Sequence, residues 1–402
     1  MADHQQNSNS PPAAPGRVSR NASSGNAPAH NLDQLISVEP LVQALEALQF
    51  AQRHLHPATI SKLATRIAVH AGALAQLHAL ATQMQTQVPQ GLTHAWRALA
   101  LAIELSQRAV AELHQCDGHR DAMMLAYKAL RYVPYALENL YDTAASSAVV
   151  DAYFGIPSGD NEVVYAAQAS PVSAPLETQT GAITTGVMHW ANERGSKGGC
   201  SVYVPENYTA TRAYPLIVAL HGGAGHGRSF LWTWLRDARL RGCIVVSATA
   251  LGDTWGLMEP HADTHNLHRM VQELRASYRI DAQRMLLTGM SDGGTFTFLS
   301  GLSAHSIFTH LAPVAASFHP FMLDMITDVQ VHERNIYLSH GVHDWMFPID
   351  VARTAQQTLR AGGAKLEYRE IADLAHTYPR EENLRILAWL AGALNSSAPS
   401  AA

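Results

Sequence analysis

The hydrophobic pattern of this chain changes character near residue 150. Before that point, apolar side chains recur at spacings of three and four, which predicts amphipathic helices. Breaks fall at residues 56–57, at residues 88–91 and near residue 118, where proline or glycine interrupts regular structure. We therefore expect an all-α bundle of about four helices. Its apolar stripes are Leu41, Leu45 and Leu48; Ile60, Leu63, Ile67, Leu74 and Leu77; Leu92, Trp96, Leu99 and Ile103; and Met123, Tyr127, Leu130 and Leu137.

After that point, short apolar runs predict buried strands. Residues 214–220, 243–247, 283–288 and 335–341 are such runs, and residues 365–371 alternate as a strand does. Short strands are also expected at residues 186–190 and 200–204, and residues 264–277 have the pattern of a helix. Strands that alternate with helices predict a mostly parallel sheet flanked by helices. We expect an α/β domain over residues 186–397, preceded by the helical bundle over residues 32–150.

Two segments lack either pattern. Residues 1–31 are rich in asparagine, serine, proline, alanine and glycine. Such a composition cannot bury enough apolar surface to order itself, so we expect a disordered tail. Residues 151–185 contain Pro157, Pro171 and Pro175 among small polar residues. They are interpreted as a linker between the two domains.

The clearest chemical signal is Gly289-Met290-Ser291-Asp292-Gly293. It follows a predicted strand and precedes the start of a predicted helix at residues 294–299. Gly-x-Ser-x-Gly in that position is typical of the nucleophile elbow of serine hydrolases. The turn is so tight that residues two positions away on each side of the serine approach closely, and glycine has no Cβ to clash there. Taken alone, the pentapeptide is also compatible with an ordinary tight turn.

An acid and a base follow the serine in the chain. Asp344 comes just after the predicted strand 335–341, and His376 lies in a loop after the predicted strand 365–371. The order Ser291, Asp344, His376 is that of α/β-hydrolases. His376 is expected to take the serine proton, and Asp344 to fix the tautomer of the imidazole.

Both assignments have competitors. Asp350 is an alternative acid, although it fits better as the N-cap of a following helix. His340 and His343 are alternative bases, although they sit on the same strand end as Asp344, whereas acid and base usually come from different strands.

An oxyanion hole is expected ahead of the serine. The predicted strand 214–220 ends in His221-Gly222-Gly223-Ala224-Gly225. Backbone N–H groups aimed at the oxyanion of a tetrahedral intermediate lower the barrier to its formation. We expect one donor from Asp292, the residue after the nucleophile, and one from Gly223 or Ala224. A phosphate loop is disfavoured because no Gly-Lys-Ser or Gly-Lys-Thr follows.

Together these motifs resemble those of α/β-hydrolase serine esterases. The residues that carry the resemblance are His221 to Gly225, Phe230 to Trp232, Gly289 to Gly294, His340-Gly341-x-x-Asp344 and His376. The stretch of about residues 186–394 is most similar to phospholipase/carboxylesterase and polyhydroxybutyrate-depolymerase-like predicted esterases. The resemblance implies ester hydrolysis without a cofactor. Ala224 replaces the third glycine of hormone-sensitive-lipase-like esterases, which argues against that subfamily.

Several aromatic residues fall near the predicted site. Trp255 follows a strand, and Trp345 and Phe347 flank Asp344. We expect Trp255, Trp345 and His221 to contact an apolar or aromatic ester, although each could pack in the core instead. Trp232 and Trp234 follow the oxyanion loop and have the same two interpretations.

The chain has 22 histidines, which raises the question of a metal. His261, His265 and His268 are spaced to share a helix face. No glutamate follows His261 as it would in a zinc-protease helix, and no further ligand is evident. A solvated helix face is the simpler interpretation, and we expect no functional metal.

Composition narrows the function classes. A net charge of −5 without a long basic run argues against a nucleic-acid binder. Three cysteines without paired spacing favour a reducing compartment, and we expect a cytoplasmic protein. No secretion signal is visible, and no apolar stretch reaches the roughly 20 residues of a membrane helix.

Three functions remain. We favour a serine carboxylesterase acting on a small-molecule ester. A serine peptidase or amidase on the same scaffold is the first alternative. A non-catalytic protein that binds partners through its helical half is the second. Association of like chains through that half is also open.

Overall fold

The computed structural model describes residues 31–155, 183–326 and 328–392. The predicted tail therefore lies almost entirely outside the described residues, and so does most of the predicted linker.

The N-terminal part of the described chain is all-helical. It contains more helices than the four stripes predict, because some stripes run across turns. Pro134 explains one such turn: within a continuous helix its ring would clash with the carbonyl of residue 130, so α5 ends there and α6 starts at Tyr132. The helices of this part are α1 (Glu39–Arg53), α2 (Ile60–Ala68), α3 (Ala71–Met84), α4 (Thr93–His114), α5 (Ala122–Leu130), α6 (Tyr132–Tyr141) and α7 (Ala148–Gly155), with 3₁₀ turns at Leu32–Gln34, Gln90–Leu92 and Ala144–Ser146.

The second half forms one eight-stranded sheet of order β1-β2-β4-β3-β5-β6-β7-β8. The pairs β1–β2 and β2–β4 are antiparallel, and all other pairs are parallel. The strands are β1 (Gly186–Trp190), β2 (Cys200–Val204), β3 (Tyr214–Leu220), β4 (Ile244–Ala248), β5 (Ile280–Met290), β6 (His310–Val314), β7 (Asn335–Gly341) and β8 (Lys365–Ile371). The intervening helices are α8 (Gly227–Arg241), α9 (His261–Ser277), α10 (Asp292–Gly301), α11 (Ile349–Ala361) and α12 (Glu382–Leu390), with a 3₁₀ segment at Pro320–Met325.

The sheet separates two hydrophobic cores. Successive side chains of a strand point to opposite faces, so on β3 Ile217 and Ala219 enter one core while Leu216 and Val218 enter the other. Helices α9, α10 and α11 cover the second face. Helices α8 and α12 cover the first. The predicted fold class, a mostly parallel sheet flanked by helices after a helical region, is confirmed.

The helical half packs on the face of the sheet that carries α8. Tyr141 and Phe154 meet Trp232 of α8, with ring centroids 5.8 and 6.1 Å apart. Helix α7, which crosses the predicted boundary at residue 150, also packs on α8. The buried apolar side chains of both halves therefore form one continuous core.

Ion pairs bind the two halves together around that core. Arg236 of α8 pairs with Glu46 of α1 at 2.5 Å, and Arg228 of α8 holds Glu138 of α6 through two nitrogens. Arg239 pairs with the Asp151 carboxylate of α7 at 2.5 Å.

Among the described helices, none is both long and apolar enough to cross a bilayer.

Candidate active site

Ser291 occupies the sharp turn between β5 and α10. Its backbone has φ 55° and ψ −121°, a conformation that is strained for any residue other than glycine. The Ser291 N–H donates to the Val314 carbonyl at 3.0 Å, and the Ser291 carbonyl accepts from the Thr295 N–H at 2.8 Å. These bonds hold the hydroxyl at the carboxyl end of the sheet, where ligands of such sheets bind.

The glycines of the elbow are required by close backbone contacts. A Cβ on Gly289 would lie 2.4 Å from the Gly293 carbonyl oxygen. A Cβ on Gly293 would lie 2.5 Å from the His221 carbonyl oxygen, and one on Gly294 would lie 2.7 Å from that of Val314. Each distance is shorter than any real Cβ contact, so a side chain at these positions would displace the elbow from the loop after β3 and from β6.

Ser291, Asp344 and His376 lie together in one hydrogen-bonded chain. The Ser291 Oγ is 3.0 Å from His376 Nε2, and His376 Nδ1 is 2.8 Å from Asp344 Oδ2. Because the carboxylate only accepts, Nδ1 carries the proton and Nε2 is left to accept from the serine hydroxyl. All three residues are more than nine-tenths buried. The arrangement can move a proton from the serine to the imidazole.

The loop after β7 fixes the acid. Asp344 Oδ1 accepts from the backbone N–H groups of Met346, at 2.9 Å, and Phe347, at 2.8 Å. With one oxygen held by the loop, the other faces His376. The carboxylate is thus fully engaged in hydrogen bonds although it is buried.

The competing acids and bases lie elsewhere. Asp350 is exposed and pairs with Arg353 at 3.2 Å, and it is not the N-cap of α11, because Pro348 in extended conformation takes that position. His343 is exposed on the acid loop. His340 is fully buried on the other side of Asp344, with its Nε2 3.4 Å from Asp344 Oδ2. Sequence reasoning treated His340 only as a rival base, although its place in His340-Gly341-x-x-Asp344 puts it next to the acid.

The loop after β3 lies against the serine. A Cβ on Gly222 would be 3.4 Å from the Ser291 Cβ, and one on Gly223 would be 2.8 Å from Asp292 Oδ2. Ala224 has φ 53°, and its N–H donates to the Asp253 carbonyl at 3.2 Å. Within the described residues the Gly223 N–H has no acceptor. The Asp292 N–H, in the first turn of α10, has none within the helix.

His221 and Trp255 support this loop from behind. The Ala250 N–H donates to His221 Nε2 at 3.2 Å, so the ring proton is on Nδ1 and donates to the Gly222 carbonyl at 2.7 Å. Burial lowers the pKa of His221 to about 4. The Trp255 indole N–H donates to the His221 carbonyl at 2.8 Å, and its ring stacks on Phe296. Trp255 is 2% exposed, so it belongs to the core and has little surface to offer a substrate.

A third residue that supports this loop, Thr254, was not predicted from the sequence. The Thr254 hydroxyl donates to Asp292 Oδ2 at 2.6 Å and so holds that carboxylate beside Gly223. Nothing in the local pattern marks Thr254, since threonine is common in loops.

Two aromatic side chains of the loop after β7 contact His376. Phe347 meets the His376 ring edge-on at 5.2 Å, and Trp345 meets it at 6.4 Å. Trp345 is 44% exposed, so much of its indole faces outward beside the imidazole. Trp232 and Trp234 lie instead in the core, where Trp232 contacts Tyr141 of the helical half and Trp234 contacts Tyr378.

The helical half also reaches the site. The Thr377 hydroxyl donates to the backbone carbonyl of Arg53 at 3.0 Å, directly next to the base. The His56 ring lies 6.5 Å from that of His343 on the acid loop. Burial and, as the smaller cause, the charge of Asp344 raise the pKa of the Tyr127 phenol on α5.

The histidines of α9 do not form a metal site. Among the described residues, no group of three or more histidine, cysteine, aspartate or glutamate side chains could hold a metal ion. His261 and His268 line a cleft of about 260 Å³ with Ser300 and His305, on the face of the sheet opposite to the helical half.

No family model matches the chain. A curated relative is the bifunctional acetylxylan esterase/xylanase XynS20E of Neocallimastix patriciarum, which is 27% identical over 209 residues. The match covers 48% of this chain and 28% of the relative, so the chain spans well under a third of that protein's length. The resemblance to esterases that the motifs indicated is confirmed at this level.

Several solved structures are also similar. A thermostable esterase is 20% identical with a TM-score of 0.41, over 51% of this chain and 62% of that one. SOBER1 of Arabidopsis thaliana is 18% identical with a TM-score of 0.38, over 45% and 100%. Esterase 2 of Thermogutta terrifontis is 14% identical with a TM-score of 0.41, over 54% and 96%. At such low scores the fold assignment depends on the strand order and the elbow described above.

Proposed function

We propose that this protein is a serine carboxylesterase that uses Ser291 as nucleophile, His376 as general base and acid, and Asp344 as the residue that orients His376. The observation that carries the proposal is the unbroken hydrogen-bonded chain from Ser291 Oγ through His376 to Asp344. It forms at the carboxyl end of the sheet, next to a glycine loop in which the Gly223 N–H has no acceptor among the described residues. The esterase name of the curated relative supports the same activity.

Acylation follows from the positions of these atoms. His376 Nε2 removes the proton as Ser291 Oγ attacks the ester carbonyl carbon, and a tetrahedral intermediate forms. The imidazolium, stabilised by Asp344, then gives its proton to the alcohol oxygen as the carbon–oxygen bond breaks. The alcohol leaves and the acyl group remains on Ser291.

Deacylation repeats the cycle with water. His376 takes a proton from water as the water oxygen attacks the acyl carbon, and returns that proton to Ser291 Oγ. The carboxylic acid is released and the serine is restored. No cofactor takes part in either half-reaction.

We assign the oxyanion hole to the N–H groups of Gly223 and Asp292. Both lie beside Ser291 and, within the described part of the chain, lack a protein acceptor. The Ala224 N–H is engaged by Asp253, which favours Gly223 among the two alternatives. His221 and Trp255 then act by holding the loop in place and do not contact the substrate.

Trp345 is proposed to contact the alcohol part of the ester. His376 delivers its proton to the leaving alcohol, so the alcohol must lie on the side of the imidazole. Trp345 offers an exposed indole face on that side. Exposed aromatic surface of this kind suits a flat or cyclic alcohol.

The proposal is tested with p-nitrophenyl esters of increasing acyl length, using the full chain and Ser291→Ala. We expect hydrolysis by the wild type and a loss of about 10⁴-fold or more in the variant. Equal rates for the two proteins would reject Ser291 as the nucleophile. If neither hydrolyses an ester but a fluorophosphonate labels Ser291, the nucleophile is competent and the substrate class is wrong.

A cytoplasmic or otherwise reducing location is part of the proposal. All three cysteines are free and buried, and burial raises the pKa of Cys200 and Cys243 to about 12. Thiols in this state are structural and need no oxidising compartment. Self-association through the helical half stays a prediction.

A further inference from the structure

His340 is a buried histidine that the triad does not use. It lies at the end of β7, four residues before Asp344, and its side chain is fully buried. Its Nε2 is 2.8 Å from the Phe347 carbonyl oxygen and 3.4 Å from Asp344 Oδ2. The Asp344 carboxylate therefore has His376 against one side of Oδ2 and His340 against another.

The protonation of His340 follows from these partners. A carbonyl oxygen only accepts, so Nε2 must carry the ring proton and donate it. The other nitrogen, Nδ1, is buried and has no hydrogen-bond partner within the described residues. Burial lowers the pKa of His340, which keeps the ring neutral.

This single N–H closes a ring of contacts around the acid. The Phe347 N–H donates to Asp344 Oδ1, the Phe347 carbonyl accepts from His340, and the same His340 nitrogen faces Asp344 Oδ2. Both oxygens of the carboxylate are thereby fixed in direction. A rotation of the carboxylate that moved Oδ2 away from His376 would also have to separate His340 from the loop.

We propose that His340 is a positioning residue for the triad, which acts by holding the Asp344 loop so that Oδ2 points at His376 Nδ1. The inference rests on the proposed function, because it needs Asp344 to be the triad acid. A role in packing alone does not explain the choice of histidine. A buried nitrogen without a partner is unfavourable, and an aliphatic side chain would fill the same space without one.

Three variants separate positioning from packing. In His340→Gln the amide nitrogen can take the place of Nε2 and donate to the Phe347 carbonyl. In His340→Asn the shorter side chain reaches only the position of Nδ1, where the described residues offer no hydrogen-bond partner. His340→Leu fills the space without any donor. Circular dichroism and the thermal unfolding midpoint establish that each variant is folded.

The readouts are kcat and KM for p-nitrophenyl acetate and the rate of Ser291 labelling by a fluorophosphonate. We expect His340→Asn and His340→Leu to lower kcat and labelling by about 10- to 100-fold with little change in KM, as misplaced supporting groups do. His340→Gln is expected to restore most of both rates. The labelling rate needs an activated serine but no particular ester, so it tests the inference even if p-nitrophenyl acetate is a poor substrate.

Equal rates for the Gln, Asn and Leu variants would overturn the inference, whether all are fast or all are slow. A defect of the Asn or Leu variant that appears as a higher KM with an unchanged kcat would also overturn it. If wild-type Ser291 labels and the variants rank as expected while no ester is hydrolysed, positioning stands and the proposed activity fails. If wild-type Ser291 is not labelled, there is no active triad to position, and both fail.

Discussion

The hydroxyl of Thr377 donates a hydrogen bond to the backbone carbonyl of Arg53, 3.0 Å away. Thr377 follows the base His376, and Arg53 is the last residue of α1 in the helical half. The Arg53 side chain strengthens the same junction, since it pairs with Asp373 at 3.1 Å and with Glu381 at 2.5 Å. The helical half is therefore joined to the loop that presents the His376 imidazole.

The continuous core between the two halves predicts that they unfold together. Phe154→Ala removes a buried ring that contacts both Tyr141 and Trp232, and should lower the free energy of unfolding by about 3–5 kcal/mol. Because the core is continuous, urea unfolding should stay a single transition when followed by tryptophan fluorescence and by circular dichroism. Met124→Ala, at a side chain that is 73% exposed, is the control and should change stability by less than about 0.5 kcal/mol. Two separate transitions would contradict a shared core.

The elbow predicts a contrast between two glycines. Gly289→Ala would force a Cβ to within 2.4 Å of the Gly293 carbonyl, so it should abolish ester hydrolysis and lower the thermal midpoint. Gly72 lies in α3, where an added Cβ would meet no atom within 4 Å. Gly72→Ala should therefore stabilise the protein by about 0.5–1 kcal/mol and leave activity unchanged. An active Gly289→Ala enzyme would show that the backbone contact is not needed.

We expect the substitution Trp345→Ala to slow acylation and to leave deacylation unchanged. Trp345→Ala should lower kcat/KM for acetate esters of aryl alcohols by about 10-fold, the effect of losing one aromatic contact of roughly 1.4 kcal/mol. The acyl-enzyme no longer contains the alcohol, so its deacylation rate constant, measured after a p-nitrophenyl acetate burst, should not change. Met346→Ala, at an equally exposed neighbour, is the matched control. Slower deacylation in Trp345→Ala would place the indole on the acyl side instead.

Three histidines, His221 buried and His189 and His310 partly buried, predict a loss of stability in acid. Burial lowers the pKa of His189, His221 and His310 to about 4, against 6.5 for the unfolded residue. Between these values the unfolded chain binds more protons, so the free energy of unfolding falls as the pH drops from about 6.5 to 4. Urea midpoints at pH 7.5, 6.0 and 5.0 measure this slope. His310→Leu removes one titrating group and should make the slope shallower; an unchanged slope would contradict the assignment for His310.

Seven of the eight strands in the described residues are predicted from the sequence, because buried strands are short continuous apolar runs. The strand β6 (His310–Val314) was missed, since its run is short and contains Pro313. The elbow was predictable because only glycine fits the close backbone contacts on both sides of Ser291. The number of helices was not, since the stripe from Met123 to Leu137 continues in phase across the break that Pro134 imposes.

The neighbours of the triad are harder to predict, since they depend on how distant segments pack. Trp255 and Trp345 look alike in sequence, yet Trp255 is enclosed behind the oxyanion loop and Trp345 faces outward beside His376. The choice between Gly223 and Ala224 also needed the structure, because it depends on the Asp253 carbonyl that engages the Ala224 N–H. Contacts between segments that are distant in the chain do not affect the local hydrophobic spacing, so this spacing cannot predict them.

The central claim is that Ser291 carries the acyl group, and trapping that intermediate tests it most directly. The full chain is mixed with p-nitrophenyl acetate, quenched in acid within the burst, digested and analysed by peptide mass spectrometry. We predict one acetyl group on Ser291 in the wild type and none on that peptide in Ser291→Ala or His376→Ala. Acetylation of another residue at the same burst rate, or steady hydrolysis with Ser291 never acylated, would contradict the account.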